Sequence, residues 1–216
     1  PSSPRPLTPR YSVVRSGTAG SAAATARAPS TPRSLEWRYS VVRSGTAGSA
    51  AATARLRLGA AALLIFTAGI AADQLTKSWA LSALADGAAI PLLPTVSLRL
   101  AFNPGVAFGL GANLGPVVAI AILVILLALT SWISWAIVSG RPRRRVLLLA
   151  AVAAGGWGNM YDRVSRAEGL PLSGTVVDFI AVDWFAIFNV GDILTVCGMI
   201  AWAATSLFIC EKTARK

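Results

Sequence analysis

Four aspartates lie within or beside long apolar stretches of this sequence, where a charged side chain is expensive. They are Asp73, Asp162, Asp178 and Asp192, in the strings DQLTK, GNMYDR, VVDF and FNVGD. A charge in or next to hydrocarbon is unfavourable unless it is paired, hydrated or neutralised, so such residues are candidates for function.

Asp178 and Asp192 form the most informative pair. Asp178 ends the β-like run 175–177, and Asp192 begins an apolar span, where a helix dipole favours negative charge. We predict that both lie at the same membrane depth. Two adjacent carboxylates cannot both ionise easily, so one takes a proton and the pair can activate water against a peptide carbonyl. The alternative is that Asp192 caps its helix while Asp178 pairs with Arg163.

The string GNMYDR adds groups that could bind a substrate. Asn159 offers amide donors and an acceptor, and Arg163 offers a fork that fits a carboxylate or a carbonyl. The alternative for Asp162 and Arg163 is a plain interfacial salt bridge. Gly158 belongs to a set of glycines that would allow close helix approach.

Three further positions have both a functional and a structural interpretation. Asn103, in FNPGVAFGL, could place an amide at the mouth of a site or simply form a turn. Asn189 either orients Asp192, three residues later, or is the N-cap of that helix. Asp73 and Lys77, at positions i and i+4, predict an ion pair that braces the site.

Composition places the chain in a membrane. It is 55% hydrophobic and 13% charged, whereas soluble domains have about 25% charged residues. The net charge of +11 comes from basic residues at the ends of apolar segments, which indicates a role in topology and not in nucleic-acid binding. The sequence has no histidine, which excludes Ser-His-Asp, Cys-His and HExxH chemistry. We expect neither a metal nor an organic cofactor.

Four apolar spans predict a membrane bundle with a small β element. A helix needs about 20 residues to cross the hydrocarbon core. Basic clusters before the first span, between the second and third, and after the fourth predict that both termini are cytoplasmic. The outer loop, with its short alternating runs and prolines, predicts a small extracytoplasmic sheet or cradle. The predicted spans are about 58–81, 115–139, 146–161 and 190–209, and the loop is 82–113.

The chain before the first span has a different composition. Residues 1–57 are rich in Ser, Ala, Pro, Thr and Arg, and the segment 10–27 recurs letter for letter at 38–55. We expect a disordered cytoplasmic arm, followed by a membrane domain at 58–210 and a tail at 211–216. The alternative is that the basic arm lies on anionic lipid.

Taken in order, DQLTK, FNPGVAFGL, GNMYDR, VVDF and FNVGD resemble the motifs of the bacterial lipoprotein signal peptidases, the type II signal peptidases. The resemblance covers about residues 58–209. It implies a four-helix aspartic endopeptidase of the bacterial inner membrane, with an outer β-cradle. Its substrates would be prolipoproteins, cut just before a cysteine that carries diacylglycerol. We expect a monomer among membrane lipids.

The resemblance also assigns roles. It implies that Asp178 and Asp192 are the catalytic pair. Residues matching the family's substrate site are Asn103, Gly158, Asn159, Asp162, Arg163 and Asn189, and those matching its supporting first motif are Asp73 and Lys77. The chain departs from the family in three places: Gly191 replaces the usual alanine, the link 164–174 is longer, and the arm has no counterpart.

The sequence is also compatible with two other classes of function. A proton-coupled carrier also uses carboxylates inside a membrane, but it would tend to string them across the membrane depth. A non-enzymatic assembly subunit would show no loss of activity when Asp178 or Asp192 alone is changed.

Overall fold

The computed structural model describes the backbone of residues 33–105 and 116–214, and the side chains of 48–105 and 116–207. The chain divides into two units, Pro1–Gly45 and Thr46–Lys216. Most of the elements, and all of the candidate site residues, belong to the second unit. The first 32 residues, with the first copy of the repeat, lie outside the described part of the chain.

The first helix is longer than the sequence predicts. Helix α1 is Arg33–Ala83 and includes the second copy of the repeat. Residues 33–57, which belong to the arm expected from the sequence, are helical. The physical reason is local: the second copy is rich in alanine, the best helix former, and it continues directly into a span that already forms helix.

Three further helices complete the bundle, and they match the other predicted spans within a few residues at most ends. They are α2 (Pro116–Val138), α3 (Arg143–Ser165) and α4 (Val190–Ala214). Among the described residues, the helices long and apolar enough to cross a membrane are Gly48–Ala83, Pro116–Val138 and Val190–Leu207. Helix α3 has the length, but the three arginines at its start and the Asp162–Arg163 pair near its end lower its hydropathy.

Small residues let the helices pack closely. Ala136 on α2, Ala150 and Ala153 on α3, and Ala62 on α1 are buried in one core cluster. A Cβ added at Gly155 of α3 would lie 2.1 Å from the carbonyl oxygen of Gly191 on α4, so this contact requires glycine. Such small-residue interfaces are typical of membrane helices. Large apolar side chains, among them Leu64 and Ile125, point outward, as expected of surfaces that face lipid.

A four-stranded antiparallel sheet joins the helices at one end of the bundle. Its strands are, in spatial order, β1 (Ile90–Leu93), β2 (Val96–Asn103), β3 (Val176–Val182) and β4 (Ile187–Phe188). Phe179 of β3 packs against Ala80 and Leu84 at the end of α1. The small sheet predicted from the outer loop therefore forms, but half of it comes from the segment between α3 and α4.

The sheet corrects the predicted position of Asp178. This residue lies inside β3, opposite Ala101 of β2, and does not follow the end of a strand. The strand continues because Phe179 packs against α1, Ala181 is buried, and Ile180 pairs with β2 and β4. Asp178 is consequently positioned by the pairing of β3 with β2, while β4 pairs with the strand only from Ile180 onward.

Candidate active site

Helix α4 begins with a reciprocal cap that places Asp192. The Asn189 Oδ1 atom accepts a hydrogen bond from the Asp192 backbone N–H at 2.9 Å, and Asp192 Oδ2 accepts one from the Asn189 backbone N–H at 3.2 Å. This is the arrangement of a capping box, which satisfies two helix N–H groups at once. Asn189 is therefore both the N-cap of α4 and the residue that orients Asp192.

The Asn189 side chain also connects the two candidate catalytic residues. Its Nδ2 atom donates to Asp178 Oδ1 at 2.6 Å and to Asn159 Oδ1 at 3.1 Å. Asn189 has no solvent exposure, and Asp178 has 3%. Asn189 thus contacts both carboxylates, donating from its side-chain amide to Asp178 and from its backbone N–H to Asp192.

Asp178 receives a second amide from the end of β2. Asn103 Nδ2 donates to Asp178 Oδ2 at 3.1 Å, while Asn103 Oδ1 accepts from the Gly105 N–H at 2.9 Å. Asn103 therefore forms the predicted turn and reaches the site as well. Burial, followed by repulsion from Asp192, raises the pKa of Asp178 from 3.8 to about 6, although the two amides favour its ionised form.

Asn159 gives Asp192 its other partner. Its Nδ2 atom donates to Asp192 Oδ1 at 2.9 Å, and its Oδ1 atom accepts from Lys77 Nζ at 2.7 Å. Because the Oδ1 atom faces two donors, Lys77 and Asn189, the orientation of the amide is determined. Asn159 therefore connects Lys77 to Asp192 through one hydrogen bond to each residue.

Lys77 is a buried hub with a partner for each of its three protons. Its Nζ atom lies 2.8 Å from Asp73 Oδ2, 2.9 Å from Asp162 Oδ2 and 2.7 Å from Asn159 Oδ1. The Lys77 side chain is 1% exposed. The predicted Asp73–Lys77 pair is present, and Asp162 pairs mainly with Lys77 and not with its neighbour Arg163.

The two aspartates of this hub also bind backbone groups on other elements. Asp73 Oδ1 accepts from the Gly191 N–H at 2.8 Å, which ties α1 to the first turn of α4. Asp162 Oδ2 accepts from the Val177 N–H at 3.2 Å, which ties α3 to the residue before Asp178. The hub therefore connects the three elements that carry the candidate catalytic residues and Asn159.

Arg163 holds a loop and does not hold a carboxylate. Its guanidinium donates to the carbonyl oxygen of Pro104 at 3.2 Å and to that of Gly105. The ion pairs among the described residues do not include a pair between Asp178 and Arg163, so that alternative is not observed. Arg163 instead fixes the chain directly after Asn103.

Glycines and one glutamine complete the packing beneath the site. A Cβ at Gly158 would lie 2.4 Å from Asp73 Oδ2, so only glycine admits the ion pair there. A Cβ at Gly191 would lie 2.9 Å from the Gly155 carbonyl oxygen. Gln74 was not singled out from the sequence, yet it donates to Asp73 Oδ2 and to the Gly158 carbonyl, each at 3.0 Å. The sequence feature that could have identified Gln74 is its position next to Asp73 in the DQLTK motif.

A cavity of about 400 Å³ opens onto both carboxylates. Its polar side includes Asp178, Asp192, Arg163 and the amides of Asn103 and Asn159, and apolar residues of α2, α3, α4 and the β3–β4 segment form most of the remainder. Within the described residues, no group of three or more His, Cys, Asp or Glu side chains is arranged to hold a metal ion. The lining includes Asn103, Asn159, Arg163, Ile122, Phe185, Phe188, Ile193 and Val196.

Solved structures share this fold. One bacterial membrane enzyme, determined by the in meso method at 2.3 Å resolution, aligns with a TM-score of 0.57 and 22% identity over 72% of this chain and 90% of its own. A second, at 1.9 Å resolution, aligns with a TM-score of 0.55 and 25% identity over 68% of this chain and 92% of its own.

Proteins with similar sequences are described as lipoprotein signal peptidases. The lipoprotein signal peptidase of Bifidobacterium adolescentis is 41% identical over 155 residues, which cover 70% of this chain and 78% of the relative. That of Rhodococcus jostii is 34% identical over 151 residues, covering 67% and 72%. The family profile described as signal peptidase (SPase) II matches residues 65–208, which include every candidate site residue. The chain therefore belongs to the signal peptidase II family of aspartic peptidases.

Proposed function

We propose that this protein is an intramembrane aspartic endopeptidase that removes signal peptides from diacylglyceryl-modified prolipoproteins, cleaving before the lipidated cysteine. The observation that carries the proposal is the pairing of Asp178 with Asp192. Both side chains line one cavity, and the Asn189 residue hydrogen-bonds to each of them. Family membership supplies the substrate class.

In the proposed reaction the two carboxyl groups hold one proton between them. The ionised member takes a proton from a water molecule, and the water oxygen attacks the scissile carbonyl carbon. The protonated member then gives its proton to the departing amine, so that water is divided between the two products. The raised pKa of Asp178, about 6, supports a shared proton at mildly acidic pH.

The surrounding residues would act by positioning. Asn103, Asn159 and Asn189 hold the carboxylate oxygens in place through amide donors, and the Lys77 hub holds Asn159. Arg163 fixes the loop that borders the cavity next to Asn103. Preorganised groups of this kind lower the barrier because they need not reorient during the reaction.

The arrangement of the four aspartates favours a peptidase over a proton-coupled carrier. Asp73 and Asp162 meet at Lys77, and Asp178 and Asp192 are joined to that hub through Asn159 and Asn189. All four acids thus belong to one network at a single end of the bundle. A proton relay across the membrane would need acids at several depths.

The topology we infer is four crossings with both termini in the cytoplasm of a bacterial inner membrane. Basic clusters before α1's apolar part, between α2 and α3, and in the tail support this orientation. The site then lies at the extracytoplasmic end. Apolar cavity residues on α2 and α4, such as Ile122 and Val196, suit a lipidated substrate that arrives sideways from the bilayer. The peptidase would act as a monomer, with residues 58–210 as its membrane domain.

The direct test uses purified protein and a prolipoprotein that carries diacylglycerol on its cysteine. We expect cleavage immediately before that cysteine, measured by mass spectrometry of both products. The control is the same precursor without the lipid, which should be cut much more slowly because it lacks the group that brings it to the cavity. Equal cleavage of both precursors, or of neither, would contradict the proposal.

The dyad also predicts a pH dependence. Because burial raises the pKa of Asp178 to about 6, the shared proton is retained up to that pH and activity should fall as the pH rises through it. Asn103 favours the ionised form, so Asn103→Ala should raise this pKa further and move the alkaline limb of kcat/KM to higher pH. Ser97→Ala, on the same strand, is the control. A limb that stays in place or moves to lower pH would refute the assignment.

A further inference from the structure

A second cavity, of about 810 Å³, lies at the end of the bundle opposite to the sheet. Three pieces of the chain form it: the part of α1 that precedes the first apolar span, the last turn of α2, and the turn that leads into α3. We call this cavity the arginine groove. Its lining residues are Ser49, Ala50, Ala51, Thr53, Ala54, Arg55, Arg57, Leu58, Ile137, Gly140, Arg141 and Arg143.

The charge of the groove is entirely positive. It is lined by Arg55 and Arg57 from α1, by Arg141 from the α2–α3 turn and by Arg143 at the start of α3, and its lining contains no acidic residue. The ion pairs found in the described part of the chain involve Lys77 and Arg166, so none of them neutralises these four guanidinium groups. Like charges gathered around one cavity repel one another, and an anion in the groove would relieve that repulsion.

Control of topology alone does not explain this arrangement. The positive-inside effect needs basic residues near the ends of the spans, at any position around each helix. Here basic residues from three separate parts of the chain, namely α1, the α2–α3 turn and the start of α3, line one cavity. Guanidinium groups bind phosphate oxygens through two parallel hydrogen bonds, which makes such a cluster suitable for a phosphate.

The groove combines this charge with apolar residues in its lining. Leu58 and Ile137 line it and also pack on the buried core shared by α1, α2 and α3. The Arg141 guanidinium carbon lies 4.7 Å from the centre of the Trp135 ring, and tryptophan is typical of the membrane interface. The occupant should therefore be an anion with an apolar portion.

We propose that the arginine groove binds the phosphodiester headgroup of an anionic phospholipid from the leaflet on that side of the membrane. Basic pockets between membrane helices bind such headgroups. The site is separate from the carboxylate cavity, and the inference does not depend on the proposed peptidase activity. It also gives a role to the helical extension of α1, since the end of the second repeat copy forms one wall of the groove.

The repeat supplies a matched control. The two copies have the same sequence, and Arg27 of the first copy occupies the place that Arg55 occupies in the second. The test variant is R55Q/R57Q/R141Q/R143Q. The control, R5Q/R10Q/R15Q/R27Q, removes the same number of positive charges from the first repeat copy and the residues before it. A difference between these variants reports the site and not the total charge.

The experiment titrates the purified full-length protein in detergent with phosphatidylglycerol, using phosphatidylcholine as the neutral comparison, and counts bound lipids by native mass spectrometry. We expect the protein and the control variant to bind one phosphatidylglycerol preferentially. The test variant should bind it at least about tenfold more weakly. Unchanged melting temperatures and unchanged precursor cleavage would show that all variants fold.

Three results would overturn the proposal. Equal weakening in the two variants would indicate attraction by total charge alone. Unchanged binding in the test variant would remove the groove from the interaction. Inorganic phosphate that displaces the lipid at comparable concentration would mean that the groove takes a free phosphate and not a lipid headgroup.

Discussion

Asp178→Asn and Asp192→Asn will each lower the rate of cleavage of a lipidated precursor by about a thousandfold or more. Asparagine has nearly the same shape as aspartate, but it can neither take a proton from water nor give one to the departing amine, and loss of such transfer typically costs this much. The double variant should be about as inactive as either single variant, because the two groups act as a unit. Single-turnover cleavage measures the loss.

Asp183→Asn is the matched control for this prediction. Asp183 lies just after β3, five residues from Asp178, and is exposed, whereas Asp178 is 3% exposed. The control should therefore cleave at the normal rate. Each variant must also accumulate in membranes at the normal level, so that lost activity reports chemistry and not folding. Normal cleavage by either dyad variant would contradict the aspartic mechanism. The alternative of a non-enzymatic assembly subunit would then be favoured.

Lys77→Gln will destabilise the folded protein by about 3–5 kcal/mol. The substitution leaves Asp73 and Asp162, which are 0% and 1% exposed, as two buried carboxylates without their common cation. It also removes the ammonium group that donates a hydrogen bond to Asn159. Because Asn159 in turn donates to Asp192, the orientation of Asp192 is less well fixed. The change in the free energy of unfolding is measured by unfolding the protein in mixed detergent and recording the loss of the helical circular dichroism signal.

The second variant D73N/K77Q separates charge from packing. If the instability comes from an unpaired buried charge, neutralising Asp73 should recover part of the lost stability, while activity stays low because Asn159 still lacks its donor. Arg99→Gln, which removes an exposed charge on β2, is the control and should change stability little. Lys77→Gln with the stability of Arg99→Gln would show that the hub contributes nothing to folding.

Much of this site was accessible from short-range patterns in the sequence. The i and i+4 spacing of Asp73 and Lys77 predicted their ion pair, which is 2.8 Å long. The spacing of Asn189 and Asp192 predicted both a cap and an orienting contact, and the structure contains both. These features were predictable because helix geometry relates residues three and four positions apart whatever the remainder of the chain does.

Contacts between distant segments were less accessible. Nothing in GNMYDR indicated that Asp162 would form its ion pair with Lys77 of another helix and not with its neighbour Arg163. Arg163 likewise proved to hold the Pro104 carbonyl, which a pattern of charges cannot reveal. The two interpretations of Asn103, as turn and as site residue, were posed as alternatives, although its carbonyl and amide ends perform both tasks at once.

The sequence by itself determined the apolar spans, the sign and location of the basic clusters, and which polar residues had to be accommodated near a membrane. These are local properties, since hydrophobicity and charge act on each segment separately. Tertiary structure alone decided that Asp178 lies within β3 beside the start of α4, and that four arginines surround one groove. Those outcomes depend on close helix packing at glycines such as Gly155 and on strand register, which arise from the whole chain together.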